Sequence, residues 1–282
     1  MCGIIGIASN KEVSSNIINS LKKLEYRGYD SAGIATIDKD YIHEKKCSGR
    51  VEELEKILFN TPSNGNIGIG HVRWATHGVP SHVNAHPHSS DTVSVVHNGI
   101  IENSNYLKNE LEKDGYKFKS QTDTEVITLL LTKYLNKNSP LDSVFKTLTK
   151  LEGSFALGIL FKKDKNILIG ARRGSPLAVG YSNNENYIGS DSYALKSMTN
   201  KISYLDDGDV CVISREKVDF YNNSQKKINK EISADAKHPC GIILGPSRTD
   251  SDYVGKEFYR VRFGNTTYER IHPTQMEIIN EV

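Results

Sequence analysis

Cys2 stands one residue from the start of the 282-residue chain, and that position suggests a chemistry. Met1 precedes a small residue, so its removal by an aminopeptidase is expected, leaving Cys2 with a free α-amine. Such an amine titrates near ~7.7–8.0, close to the pH at which a general base works best. A terminal thiol therefore carries its own base. A thiol that attacks a carbonyl also needs donors for the developing oxyanion. His97-Asn98-Gly99 offers two: the side-chain N–H of Asn98, and the backbone N–H of Gly99 in a turn that other residues would adopt only with strain. An amino-acid substrate further needs a cation for its α-carboxylate and an anion for its α-ammonium. Arg73 has the planar fork for the first task, and Asp123 fits the second. Trp74, the only tryptophan, adjoins Arg73 in a segment with Thr76, His77 and Gly78. An aromatic there can cover a site and exclude water.

Each residue also has an ordinary reading when taken alone. Cys2 is then a plain cysteine near a terminus, and Asn98-Gly99 a hairpin turn. Arg73 is a surface ion pair, Asp123 a helix cap, and Trp74 a core residue. Histidines are dense between 71 and 97 (His71, His77, His82, His86, His88, His97), which raises a metal site. His82 and His86 have the i, i+4 spacing of paired ligands, but Pro80 and Pro87 flank them, so a loop is expected. No H-E-x-x-H element is present, and no metal is expected.

These residues need elements to hold them. Cys2 to Ala8 reads as a strand. Val13, Ile17, Ile18, Leu21 and Leu24 recur at helical spacing and predict a helix over 13–24. Strands are expected over 66–73 and 92–97, and a helix over about 104–114 that ends before Gly115 as its C′ residue. Thr122-x-x-Glu125 fits a capping box ahead of Val126 to Leu131. Ser139-Pro140 reads as N-cap and N1 of a helix that stops near Gly153. Strands follow at 154–161, 167–172 and 209–213, and the polar stretch 221–230 reads as a turn or the start of a linker. Strands, two central helices, then strands again give an α+β pattern with helices packed on stacked sheets.

Composition narrows the field. Apolar residues make up 37% and charged residues 25%, as in an ordinary globular protein. The net charge of +2 gives no electrostatic case for nucleic acid. No apolar run approaches the ~20 residues that span a bilayer, and the short run at Ile4 to Ala8 has no basic region before it, so neither a signal peptide nor a membrane anchor is expected. The four cysteines (Cys2, Cys47, Cys211, Cys240) are far apart and form no CxxC pair, which fits a reducing, cytoplasmic location.

Six segments in order carry a resemblance: Cys2-Gly-Ile-Ile-Gly6, Leu24-Glu-Tyr-Arg-Gly-Tyr-Asp-Ser-Ala-Gly33, Gly70-His-Val-Arg-Trp-Ala-Thr-His-Gly78, Asn84-Ala-His-Pro-His88, Val96-His-Asn-Gly-Ile-Ile-Glu-Asn103 and Thr122-Asp-Thr-Glu125. Over residues 2–238 the chain resembles the class-II glutamine amidotransferases, which are N-terminal-nucleophile hydrolases. The form Tyr26-Arg-Gly-Tyr-Asp-Ser-Ala32 is most similar to the glucosamine-6-phosphate synthase branch. The resemblance implies a four-layer αββα sandwich. It implies Cys2 as nucleophile with its α-amine as base, Asn98 and Gly99 as the oxyanion hole, and Arg27 organising the region around the cysteine. It also implies that Arg73, Thr76, His77 and Asp123 hold L-glutamine, that Trp74 lies in a loop closing over it, and that no cofactor is needed.

The resemblance stops near His238, and residues 239–282 match nothing in the family by motif. Their stretch 257–263 alternates like a strand. The synthases of this branch have a further half that binds and isomerises the sugar phosphate, which these motifs do not reach. Two expectations follow: a glutaminase, either free-standing or passing ammonia to a separately encoded sugar-phosphate isomerase half, or a non-catalytic remnant or interaction module that keeps the fold. The completeness of the site favours the enzyme.

Overall fold

The computed structural model describes residues 2–74, 79–232, 242–246, 259–263 and 266–271. The chain divides into two compact units, Met1–Ala236 and Lys237–Val282.

The first unit is built on two seven-stranded sheets. One has the order β11 (Lys201–Tyr204), β9 (Ala178–Ser182), β10 (Glu185–Gly189), β1 (Gly3–Ala8), β4 (Ile67–Arg73), β2 (Ser31–Asp38) and β3 (Tyr41–Ser48). The other runs β14 (Lys227–Ile228), β13 (Val218–Tyr221), β12 (Val210–Ile213), β8 (Leu168–Arg173), β7 (Gly153–Phe161), β6 (Val93–Ile101) and β5 (His88–Ser89). Helices α1 (Ser14–Leu24) and α2 (Val51–Asn60) cover the first sheet, with the short α6 (Ser192–Leu195) packed on α1. Helices α3 (Ser104–Lys113), α4 (Thr124–Leu135) and α5 (Pro140–Leu148) belong to the second.

Alternation along the strands produces these layers. In β1, Ile5 and Ile7 share a core with Ile17 and Leu21 of α1, while Ile4 and Ala8 join the core between the sheets. In β7, Phe155, Leu157 and Ile159 pack with Val126 and Leu131 of α4, while Ala156 and Leu160 face the other sheet's Ile69 and Ile188. Three buried cores between four layers are the αββα sandwich that the resemblance implies.

The local signals mostly hold. Ser139 Oγ accepts from Asp142 N at 3.2 Å and caps α5. After α3, Gly115 N bonds to Glu112 O and Tyr116 N to Leu111 O, the paired bonds of a Schellman turn, with Gly115 at φ 87°. Residues 79–87 form a loop, as the flanking prolines indicate. The stretch 221–230 is the turn of the β13–β14 hairpin and not a linker.

Two expectations are corrected. Thr122 and Glu125 form no capping box. Asp123 is at the N-cap of α4, and the Glu125 carboxylate turns back to accept from Lys119 N (2.8 Å) and Ser120 N (2.6 Å). Asn98-Gly99 is not a turn either, because β6 runs through it. Asn98 pairs with Ala156, Gly99 with Phe155, and the ladder continues to Ile101 and Gly153. Gly99 is nevertheless strained in the way expected, with φ 129°. A Cβ there would sit 2.1 Å from Ser154 O. Gly99→Ala therefore meets both a left-handed backbone, worth about 1–3 kcal/mol, and a backbone clash that has to push β7 away. We expect a loss of at least about 3 kcal/mol, read as a lower urea midpoint at unchanged m-value.

The second unit holds a three-stranded antiparallel sheet, β15 (Ile242–Pro246), β16 (Tyr259–Phe263) and β17 (Thr266–Ile271). Among the described residues no helix is long and apolar enough to cross a membrane.

Candidate active site

Cys2 lies one residue before β1, whose Gly3 is in register with Val72 of β4. The far neighbour β10 leads into Ser190, whose Oγ accepts from Ile4 N at 2.9 Å. The start of β1 is thus held from both sides. Its thiol meets the next residue beyond β4: Trp74 N donates to Cys2 Sγ at 3.3 Å, and Sγ lies 3.5 Å from Trp74 O. Gly28 packs against the same peptide, since a Cβ on it would meet Arg73 C and O at 2.5 Å and Trp74 N at 2.6 Å. Only glycine lets the Arg27-Gly28 segment come so close. Arg27 itself pairs with Asp191 Oδ2 at 3.0 Å and donates from Nε to Tyr26 Oη at 3.1 Å. Burial pushes the Cys2 thiol above its ordinary pKa, and the Trp74 amide and nearby Arg73 oppose this only in part.

From the second sheet, Asn98 reaches Cys2. Its Nδ2 donates to Cys2 O at 2.9 Å, so the carboxamide and the thiol-bearing residue are in direct contact. An amide nitrogen has two hydrogens, and among the described residues nothing takes the second. Asp123 Oδ2 accepts from Ile101 N at 2.8 Å, two residues beyond Gly99. Its side chain therefore crosses to β6 instead of capping α4, so the plain capping explanation fails. Arg73 is 4% exposed and is no surface ion pair. Trp74 is 51% exposed and stands edge-on to Tyr29 with ring centroids 6.0 Å apart, so it is not a core residue. Thr76 and His77 lie outside the described residues. The cleft lined by Ala8, Asn66, Lys165 and Arg215 opens at the opposite end of β1 and contains none of these residues.

The dense histidines have a different place from the one their spacing suggested. His71, His86, His88 and His97 are all buried. The rings of His71 and His86 stack with centroids 4.3 Å apart, and His88 stands edge-on to His86 at 4.8 Å. Thr124 Oγ1 lies 2.8 Å from His86 Nε2 and 2.9 Å from His97 Nδ1, and Thr122 Oγ1 lies 2.9 Å from His88 Nε2. Burial drives the pKa of His71 down to about 3, and those of His86 and His88 well below the usual imidazole range. His71, His86 and His88 are neutral rings in a hydrogen-bonded core that backs Asn98. Among the described residues no group of three or more His, Cys, Asp or Glu is arranged to hold a metal ion. Sequence reasoning noticed the histidines but not Thr122 and Thr124 as their partners, nor Ser190 beside β1.

Several known proteins are similar to this chain. Residues 71–197 match the family described as the glutamine amidotransferase domain. A glutamine–fructose-6-phosphate aminotransferase (isomerising) of Mesorhizobium japonicum is 50% identical over 232 residues, covering 82% of this chain and 38% of the relative. That of Bradyrhizobium diazoefficiens is 44% identical over 260 residues, covering 92% and 42%, so this likeness continues past residue 238. A solved structure of B. subtilis glutamine phosphoribosylpyrophosphate amidotransferase, complexed with ADP and GMP, superposes with a TM-score of 0.70 at 26% identity, over 80% of this chain and 50% of that one. The chain carries a class-II glutamine amidotransferase domain with the N-terminal-nucleophile hydrolase fold. Within that class, it is homologous to the glutaminase part of the glutamine–fructose-6-phosphate aminotransferases and spans 38% and 42% of the length of the two relatives described. The relatives support the enzyme and not the remnant.

Proposed function

We propose that this chain hydrolyses L-glutamine to glutamate and ammonia through a thioester on Cys2. The observation that carries the reading is the Asn98 Nδ2 contact to Cys2 O beside a half-buried thiol. Burial keeps that thiol protonated near neutral pH, so it needs a base. The α-amine freed by Met1 removal is the base at hand. It takes the thiol proton as Cys2 Sγ bonds to the carboxamide carbon. The second Nδ2 hydrogen of Asn98 and the Gly99 N–H then receive the oxyanion. The C–N bond breaks, the amine's proton leaves with ammonia, and water cleaves the thioester to glutamate. Arg73, Thr76, His77 and Asp123 bind L-glutamine, with Arg73 taking its α-carboxylate and Asp123 its α-ammonium. Trp74 closes over the substrate, and Arg27 holds the segment behind Cys2.

In this reading the glutaminase occupies residues 2–238, with residues 239–282 as a separate segment. The ammonia serves amino-sugar synthesis by aminating fructose 6-phosphate on a sugar-phosphate isomerase half, and the protein is cytoplasmic. The names of the relatives support this destination.

The direct test is glutamate release by the purified chain and by Asn98→Ala. We expect kcat to fall about 10²–10³-fold with a small change in KM. A fall in kcat/KM carried by KM alone would remove Asn98 from the oxyanion hole.

A further inference from the structure

Asn98 can serve an oxyanion only if its amide edge points the right way. A carboxamide flipped by 180° has nearly the same shape, but presents Oδ1 where Nδ2 should be. Flipped, it would repel the negative charge that it is meant to stabilise. Two contacts bear on the choice. Nδ2 donates to Cys2 O, which can only accept. On the other side, Oδ1 lies 3.0 Å from His71 Nε2.

The imidazole's own state is fixed by a third contact. His71 Nε2 also lies 3.1 Å from the backbone oxygen of His97. A carbonyl oxygen accepts and never donates, so Nε2 must carry the hydrogen. That hydrogen is shared between His97 O and Asn98 Oδ1. Among the described residues the buried His71 Nδ1 has no hydrogen-bond partner, which suits a bare lone pair far better than an N–H. His86 stacks on the ring face and Gly70-His71 sits inside β4, so the ring has little room to turn.

We propose that His71 is a positioning residue: its Nε2–H, registered on His97 O, locks the Asn98 carboxamide with Nδ2 toward the oxyanion. This rests on the glutaminase reading above. Flipping Asn98 against the lock would set Oδ1 against Cys2 O and Nδ2 against the His71 N–H, losing two hydrogen bonds and creating two repulsions. His71 touches no substrate in this account, and it moves no proton.

The test uses the full chain with His71→Leu and His71→Gln, both checked for folding by circular dichroism. Gln carries an N–H at about the reach of Nε2, and Leu fills the space without one. We expect Leu to lower kcat for glutamine hydrolysis about 10–100-fold, less than loss of the donor itself, with KM little changed. Gln should recover most of the rate. Inhibition by the γ-aldehyde of glutamate, whose adduct on Cys2 carries the oxyanion, should weaken in Leu by the same factor as kcat, while glutamate binding stays. A folded Leu variant with wild-type kcat, or equal loss in Leu and Gln, overturns the proposal. Inactivity of the wild type would count against the glutaminase reading, but the lock has a readout of its own. Nitrogen NMR of the imidazole should place the His71 proton on Nε2, and a proton on Nδ1 overturns the lock whatever the activity.

Discussion

Cys2→Ala is expected to abolish glutamate release from L-glutamine while leaving the fold intact. The substitution removes one sulfur from a residue outside the β1 ladder, so the strand's bonds to β4 and β10 are untouched. What it removes is the only atom in this account that can form the thioester. Knocking out a nucleophile in a comparable acyl-transfer enzyme costs about 10⁶ in kcat, and residual turnover should fall below detection. Cys2→Ser should be nearly as damaging, because a hydroxyl is a poorer nucleophile for the same weak base. The complementary experiment leaves the thiol in place and blocks the amine, by a non-cleavable residue before Cys2 or by acetylation. Intact-mass spectrometry gives the state of the terminus. Wild-type turnover by a chain whose α-amine is blocked would falsify the self-base mechanism, even if Cys2→Ala is dead.

The second large effect is on stability in mild acid. His71, His86 and His88 are held neutral by burial, with His71 near 3 and the other two well below the usual range. In the unfolded chain each returns to about 6.5. Between those limits the unfolded state binds protons that the folded state refuses, so lowering the pH favours unfolding. Stability from these rings is complete above about 6.5 and is lost progressively below it. Each can contribute up to about 1.4 kcal/mol per pH unit, so the three together reach about 4. Two units of acid then remove an amount comparable with the 5–15 kcal/mol that holds a typical domain together. We expect the thermal midpoint to drop steeply between pH 6.5 and 5, with net proton uptake on unfolding at pH 5. A midpoint unchanged across that range would mean the rings accept protons in place.

The four layers came from the family resemblance, because a strand such as β7, buried on both faces from Phe155 to Phe161, carries no period-2 alternation to tell its helix-facing side from the other. The ends of α3 and α5 were legible because Gly115 and the Ser139-Pro140 pair act locally. The course of β6 was not, since Asn-Gly ordinarily announces a hairpin. Here its unusual backbone is absorbed inside a ladder whose partner, Ser154-Phe155, is distant in sequence. The β2–β3 hairpin escaped for a similar reason: it turns through Lys39 at φ 54°, where no glycine marks the bend. For the site, Cys2, Asn98 and Gly99 could be nominated by chemical type. The orienting contact could not, because whether His71 is a metal ligand or a hydrogen-bond donor depends on what surrounds it. The spacing of histidines does not encode their burial or the bonds that Thr122 and Thr124 make to them.

The placement of β1 between β4 and β10 bears on how Cys2 can be exposed. A terminal residue ordinarily frays, and its amide exchanges with solvent almost freely. Here the strand that follows it is paired on both flanks, and the link from Ile4 to Ser190 secures the end nearest the thiol. Cys2 itself lies outside these ladders, but peeling β1 away from its neighbours would break both of them and open the core between the sheets at once. The amides of β1 should therefore be among the slowest to exchange deuterium, opening only with the whole domain. Movement of the whole strand is too costly to act as a switch.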